Sequence, residues 1–301
     1  KEELIGDSRQ INAIRKILEE EIKKQTSILI TGEKGLEAEL IANIISSESD
    51  RPLKILNVSA DVKEHVLFGS EKGIFTEAFE KKSGILEEAN GGILFIRNIE
   101  LLPKGAQTKL AQALSKKEAA REGSFSPIPI DIRIISETSA NIEEHAKDGT
   151  FNNELYKLIC EVIIKLSPLR QREGDLPDWI NYYVDKYSGK YNKKVKISKE
   201  AFDILIGYPW PGNLTELSNT IESLVITSIN EEIEPDDLPL DILIKSPAGK
   251  NFVSLEHMEG KLEQAHITNV YKKAGQNKEK ASALLGIQQK ALEEKLESIS
   301  T

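Results

Sequence analysis

The clearest chemical layout in the chain is Gly32-Glu33-Lys34-Gly35-Leu36-Glu37-Ala38-Glu39, a glycine-bearing turn between an apolar run and an amphipathic stretch. A working phosphate-binding loop reads G-x-x-x-x-G-K-[ST]. Its backbone N–H groups cradle the phosphates, its lysine reaches the β/γ-phosphates and its hydroxyl holds Mg²⁺. Gly32 stands at the first glycine, but Glu37 occupies the second, Ala38 the lysine position and Glu39 the hydroxyl position. A carboxylate is repulsive where phosphates should lie, and the mobile positive charge is gone. These residue types predict the scaffold of a phosphate loop without its chemistry. Lys34 is the candidate substitute cation, but it would have to act from the opposite side of the loop, and a solvated lysine is the simpler reading.

Other chemistry is sparse. The four histidines (His65, His145, His257, His266) have no metal-ligand spacing, since even His257 and His266 lie nine apart rather than four. No metal site is expected. Cys160 is the single cysteine, which excludes an internal disulfide and suits a reducing cytosol.

The elements that must position the loop follow an alternating pattern. A helix is expected over Ile11–Leu18 after a cap at Asp7 or Ser8, then a strand at Ser27–Thr31 and a helix from the loop to about Ser46. Further strands are expected at Leu53–Val58, Gly91–Ile96, Ile130–Ser136 and Val162–Leu166, with a helix at Lys104–Ser115. Strands alternating with helices indicate an α/β fold with a parallel sheet wound by right-handed crossovers. After Ser167-Pro168 the pattern is helical, over roughly 175–188, 198–207 and 213–230, with Asn213 as a cap after Tyr208-Pro-Trp-Pro-Gly212. The run Lys280–Leu296 places a glycine turn between two apolar-striped helices, which is helix-turn-helix grammar. The expected divisions are 1–170 for the α/β core, 171–235 for a helical lid, 236–253 for a linker and 254–301 for a helical C-terminal domain.

The chain has 301 residues, 39% hydrophobic and 30% charged, with a net charge of −9. That acidic balance argues against broad coating of nucleic acid. No apolar run is long enough to span a membrane, and no signal peptide opens the chain. A cytoplasmic location is expected. The first residue is Lys rather than Met, as in a piece of a longer protein.

Taken in order, several segments carry a resemblance. They are Leu4-Ile5-Gly6, Ile30-Thr-Gly-Glu33, Leu67-Phe-Gly69 with Glu71-Lys-Gly73, Ala89-Asn-Gly-Gly-Ile-Leu-Phe95, Pro168-Leu-Arg170 with Asp175-Leu-Pro177, and Trp210-Pro-Gly-Asn-Leu214 with Glu216-Leu217. The chain resembles the sigma-54-dependent transcription activators, the NtrC-type AAA+ proteins, over nearly its whole length. The resemblance implies an AAA+ sheet sandwiched by helices, a helical lid and a C-terminal domain similar to a Fis-like helix-turn-helix. It implies a nucleotide site at Ile5, Gly32, Glu33, Gly35, Glu37 and Ala38, which the residue types make vestigial. It also implies an Asp-Glu pair after the Gly-Gly strand, for Mg²⁺ and for the attacking water. Arg97 and Asn98 stand there. The two trans-acting arginine fingers align with Asn152 and Leu158, and the lid arginine with Thr215. The sensor strand, Ala-Thr-Asn in the family, reads Glu137-Thr138-Ser139, while the coupling asparagine is kept as Asn57.

Arg97 is expected to pair with Glu37 across the emptied phosphate and metal space. The sigma-contacting loop maps to Gly73-Ile74-Phe75-Thr76-Glu77-Ala78. It keeps Phe75 and Thr76 but places Glu77 where the family has a glycine. It is either a weakened sigma-54 contact or a vestigial loop in which Phe75 packs. In the C-terminal domain, Lys280, Gln288, Gln289, Lys290 and Lys295 are the candidate DNA contacts. The local balance of four Lys and four Glu over 278–301 predicts weak binding; a dimerisation bundle is the alternative.

The expected function is a transcriptional regulator of this family without ATPase chemistry, hence no enzyme and no required cofactor. Its expected partners are itself, as a dimer through the C-terminal helices, and sigma-54 RNA polymerase or an intact homologue. The alternatives are an ATP-hydrolysing activator with a divergent Mg·ATP site and a switch that binds nucleotide without hydrolysing it.

Overall fold

A computed structural model describes residues 3–71, 82–124, 126–172, 174–249 and 255–300. Five parallel strands form the central sheet: β1 (Ile28–Thr31), β2 (Leu53–Asn57), β3 (Ile93–Arg97), β4 (Arg133–Thr138) and β5 (Val162–Lys165). Their spatial order is β2-β3-β4-β1-β5, with β1 paired to both β4 and β5. Successive side chains of a strand point to opposite faces, so a sheet covered on both sides needs unbroken apolar runs. Ile28 and Ile30 of β1 pack into one core and Leu29 into the other. Helices α1 (Arg9–Glu21) and α2 (Ala38–Ser49) cover the first face through Ile11, Ile14, Leu18, Ile41 and Ile45. Helices α3 (Lys104–Lys116) and α4 (Asn153–Ile159) cover the second through Ala106, Leu110, Leu155 and Ile159.

Strand β4 starts at Arg133, three residues later than its β-branched run suggests. The Ile130 N–H is taken by the Lys117 carbonyl, outside the sheet. Buried Arg133 donates to the carbonyls of Glu21, Ile22 and Thr26 at 2.8, 3.0 and 3.0 Å. Its guanidinium thereby satisfies the open C-terminal end of α1.

The chain divides into two compact units, Lys1–Tyr183 with Trp210–Ile221, and Val184–Pro209 with Glu222–Thr301. Helices α5 (Leu176–Tyr191), α6 (Lys199–Gly207) and α7 (Asn213–Thr227) match the expected helical region. Of residues 236–253, expected as a linker, 236–249 are instead packed, and 250–253 lie outside the described residues. Helix α8 (Leu240–Lys245) buries Ile242 and Leu243, and a Cβ at Gly249 would lie 2.3 Å from the Leu243 carbonyl oxygen. The acidic and proline residues that suggested a linker here form a 3₁₀ turn, Pro235–Asp237, with a reciprocal cap between Glu234 and Asp237.

Three C-terminal helices follow: α9 (Leu255–Lys273), α10 (Lys278–Leu285) and α11 (Gln289–Ser300). The Asn277 side chain caps α10 by accepting from the Lys280 N–H at 2.9 Å, and Gly286 ends that helix at φ +68°. Ile267, Ala274, Ala281 and Leu292 form their small core.

Candidate functional site

The loop between β1 and α2 lies at the C-terminal ends of the strands, where open α/β sheets place ligands. Gly35 holds φ +84°, and a Cβ there would sit 2.3 Å from the Gly212 carbonyl oxygen. The Gly35 carbonyl accepts the Thr215 N–H at 3.0 Å. Asn213, expected as the cap of its own helix, is fully buried and holds the loop instead. It donates to the Lys34 carbonyl at 3.0 Å and to Glu33 at 3.2 Å, and accepts the Leu169 N–H at 2.9 Å. The carboxylate of Glu216 takes over at the start of α7 by accepting the Gly212 N–H at 2.7 Å.

Each of the three glutamates in this stretch meets an arginine. Glu33 accepts from Arg170 at 2.8 Å. The hydrogen bonds from Arg170 and then Asn213 hold its carboxyl well below the usual range, at about 2. Glu37 is chelated by both terminal nitrogens of Arg172, one at 3.0 Å, with each side chain 1% exposed. Glu39, in the first turn of α2, accepts from Arg97 at 2.9 Å.

The expected Arg97–Glu37 pair is therefore not formed. Arg97 ends β3, and its guanidinium spans Glu39 at 2.9 Å and Glu137 at 3.2 Å. Glu137 stands one position beyond the Ile96–Ser136 pair that registers β3 against β4, so the two side chains share a face. Burial pushes the Glu137 carboxyl above its ordinary value, while the charge and hydrogen bond of Arg97 oppose that rise. Glu37 turns the other way, because Arg172 already fills its surroundings.

Arg172 also approaches Asp175 at 4.0 Å, and both are buried. Asp175 accepts the Ser8 N–H at 2.8 Å. Gly6, in the Leu4-Ile5-Gly6 segment, sits against it at φ +97°, where a Cβ would come within 2.4 Å of the Asp175 carboxyl. Arg15 fixes the same segment by donating to the carbonyls of Leu4 and Gly6 at 2.8 and 2.7 Å. Ile5 is half-buried.

The other positions singled out from sequence have structural work of their own. Ala38 is buried at the start of α2. Asn98 adopts the left-handed region at φ +54°, which Asn tolerates better than most residues. Asn152 caps α4 by accepting the Leu155 N–H at 2.8 Å, and Leu158 packs against the second-face core. Thr215 is exposed and meets the loop through its backbone. Asn57, also exposed, ends β2 beside Arg97. The sigma-loop residues Gly73, Ile74, Phe75, Thr76, Glu77 and Ala78 lie outside the described residues.

In the C-terminal helices, Lys280, Gln288, Gln289 and Lys290 are exposed, whereas Lys295 is half-buried and pairs with Glu263 at 2.6 Å. Gln289 donates to Glu293 at 3.4 Å.

Sequence reasoning missed the roles of Arg170, Arg172 and Asn213. The available signal was the alternation of Arg170 and Arg172 in a chain whose loop carries Glu33, Glu37 and Glu39. Spacing along the chain does not reveal which arginine meets which glutamate, more than 130 residues away.

A parallel α/β core, a glycine turn at its C-terminal edge and a following helical segment define the AAA+ class. The model of the sigma-54 interaction domain matches residues 4–165, and that of the AAA+ ATPase lid domain matches 170–255. The transcriptional regulatory protein ZraR of Klebsiella oxytoca is 34% identical over 304 residues, covering 97% of this chain and 68% of the relative. The sigma54-dependent transcriptional regulator SfnR of Pseudomonas fluorescens is 37% identical over 276 residues, 89% of this chain and 75% of the relative. NtrX from Brucella abortus in complex with ATP superposes with a TM-score of 0.73 at 27% identity, covering 99% of this chain and 70% of NtrX. The chain belongs to the sigma-54-dependent transcriptional regulators.

Proposed function

We propose that this chain is a regulator of the sigma-54 activator family that does not hydrolyse ATP and acts by binding partners. The observation that carries the reading is the Arg97–Glu39 ion pair. In P-loop NTPases the positions of these two residues together hold Mg²⁺. Here one supplies a cation and the other binds it.

Mg·ATP does not fit the residues present. The phosphate lysine is Ala38, and Glu37, in place of the second glycine, is a buried carboxylate paired with Arg172. Asn98 cannot serve as a base for the attacking water. Asn152 and Leu158 supply no cation to a neighbouring subunit's site. Under this reading no cofactor is required, and the chain works in the cytoplasm as a protein-binding regulator. Its partners are a second copy of itself and either sigma-54 RNA polymerase or an intact homologue. Exposed Lys280, Gln288, Gln289 and Lys290 give weak contact with DNA. Among the described residues no helix is long and apolar enough to cross a membrane.

A second reading is nucleotide binding without turnover. It is favoured by the ATP complex of NtrX and by retention of Gly32, Gly35 and the Leu4-Ile5-Gly6 segment. Isothermal titration with Mg·ATP beside a phosphate-release assay separates the two. The first reading predicts neither heat nor phosphate, and the second predicts heat alone. Phosphate release above background contradicts both.

A further inference from the structure

We infer that Arg97 is a tethered cation that takes the place of a divalent metal ion at a two-carboxylate site formed by Glu39 and Glu137. The inference deepens the non-hydrolysing reading by assigning what occupies the site in place of metal. The two carboxylates come from different elements, the first turn of α2 and strand β4, and converge on one guanidinium at 2.9 and 3.2 Å. Glu137 is 14% exposed on its side chain and Glu39 44%, so solvent screens the pair from one side only. Two carboxylates converging without a cation repel each other, and burial strengthens that repulsion.

A divalent ion and a guanidinium meet the same need by different routes. Carboxylate oxygens coordinate a hard cation at short range with variable geometry. The guanidinium instead donates through a fixed planar fork and cannot leave or deprotonate. A site of this kind is permanently charge-balanced. It should neither require metal nor respond to it.

Metal uptake without nucleotide tests this. The probe is Mn²⁺, read by loss of the free-ion electron paramagnetic resonance signal, with the thermal midpoint measured in parallel. The wild-type chain and Arg97→Lys, which retains a cation, should take up no Mn²⁺ that Glu39→Gln abolishes. Arg97→Gln, shorter and neutral, should take up Mn²⁺ at concentrations where wild type takes up none, because a competing unit charge has been removed. Its midpoint should fall and be restored by Mn²⁺, while the wild-type midpoint stays unchanged. Adding Glu137→Gln or Glu39→Gln to Arg97→Gln should remove the uptake.

Wild-type uptake lost in Glu39→Gln, or an Arg97→Gln chain that folds and binds no more Mn²⁺ than wild type, overturns the inference. If Arg97→Gln does not fold in buffer alone, refolding it with Mn²⁺ supports the inference; failure to do so, with Arg97→Lys folded, overturns it. ATP turnover by the wild-type chain would defeat the non-hydrolysing reading without moving any of these nucleotide-free readouts.

Discussion

The Glu37 carboxylate is gripped by both terminal nitrogens of Arg172, and neither side chain is more than 1% exposed. A charge on the phosphate-loop segment is thus answered from within the chain, by an arginine 135 residues away. Removing Arg172 leaves Glu37 buried and unpaired, whereas removing Glu37 leaves Arg172 with Asp175 at 4.0 Å. Arg172→Ala should lower stability by about 3–5 kcal/mol, and Glu37→Ala by less. The double variant Glu37→Leu/Arg172→Met should recover part of that loss, since the apolar pair needs no counter-charge but Asp175 loses its arginine. Urea unfolding midpoints of the three variants check this. Additive losses would show that the two residues are not acting as a pair.

Gly6 is required by geometry rather than by chemistry. At φ +97° with Asp175 within 2.4 Å of an added Cβ, an alanine meets both a backbone penalty and a clash. Gly6→Ala should cost roughly 1–3 kcal/mol, in the range of other forced backbone conformations. Ile5→Ala, at the half-buried neighbour, serves as the control for a general loss of packing, and the two unfolding curves should separate clearly.

Glu33 gives the site a pH dependence. Its folded-state carboxyl lies near 2 rather than 4.5, held down by Arg170 and Asn213. As pH falls, the unfolded chain takes up this proton first. The stabilisation is therefore present above about 4.5 and lost as pH falls toward 2. Solvent around the half-exposed pair keeps the effect modest. Between these limits Glu33→Gln should show a shallower loss of stability than wild type, measured by denaturant midpoints at stepped pH. An identical slope would contradict the assignment.

Subunit assembly should not depend on nucleotide. Asn152 and Leu158 are engaged in a helix cap and a core, so neither has a charge to offer a neighbour's phosphates. Sedimentation velocity should give a dimer through the C-terminal helices, with the same distribution when Mg·ATP is added. A hexamer that forms only with Mg·ATP would contradict this.

The architecture was legible because apolar periodicity is local. Ile28, Leu29 and Ile30 announce a strand buried on both faces, and Ile11, Ile14 and Leu18 a helix facing it. The substitutions Glu37, Ala38, Arg97 and Asn98 were equally legible, since each stands at a fixed offset from a glycine. Their partners were not. Charge alone pairs Arg97 with Glu37, whereas the register of β3 and β4 delivers it to Glu137 and the first turn of α2 delivers Glu39. Asn213 read as a helix cap because capping is its commonest local use, yet its side chain spans from Lys34 to Leu169. Composition gives residues 236–253 the character of a linker, although the burial of Ile242 and Leu243 depends on tertiary neighbours.

Phosphate release from Mg·ATP by the wild-type chain, followed across protein concentrations, is the most direct test of a site closed by its own ion pairs. The prediction is a rate indistinguishable from buffer at every concentration, and unchanged in Glu37→Ala and Arg97→Lys. A wild-type rate that rises with protein concentration and vanishes in Arg97→Lys would contradict it.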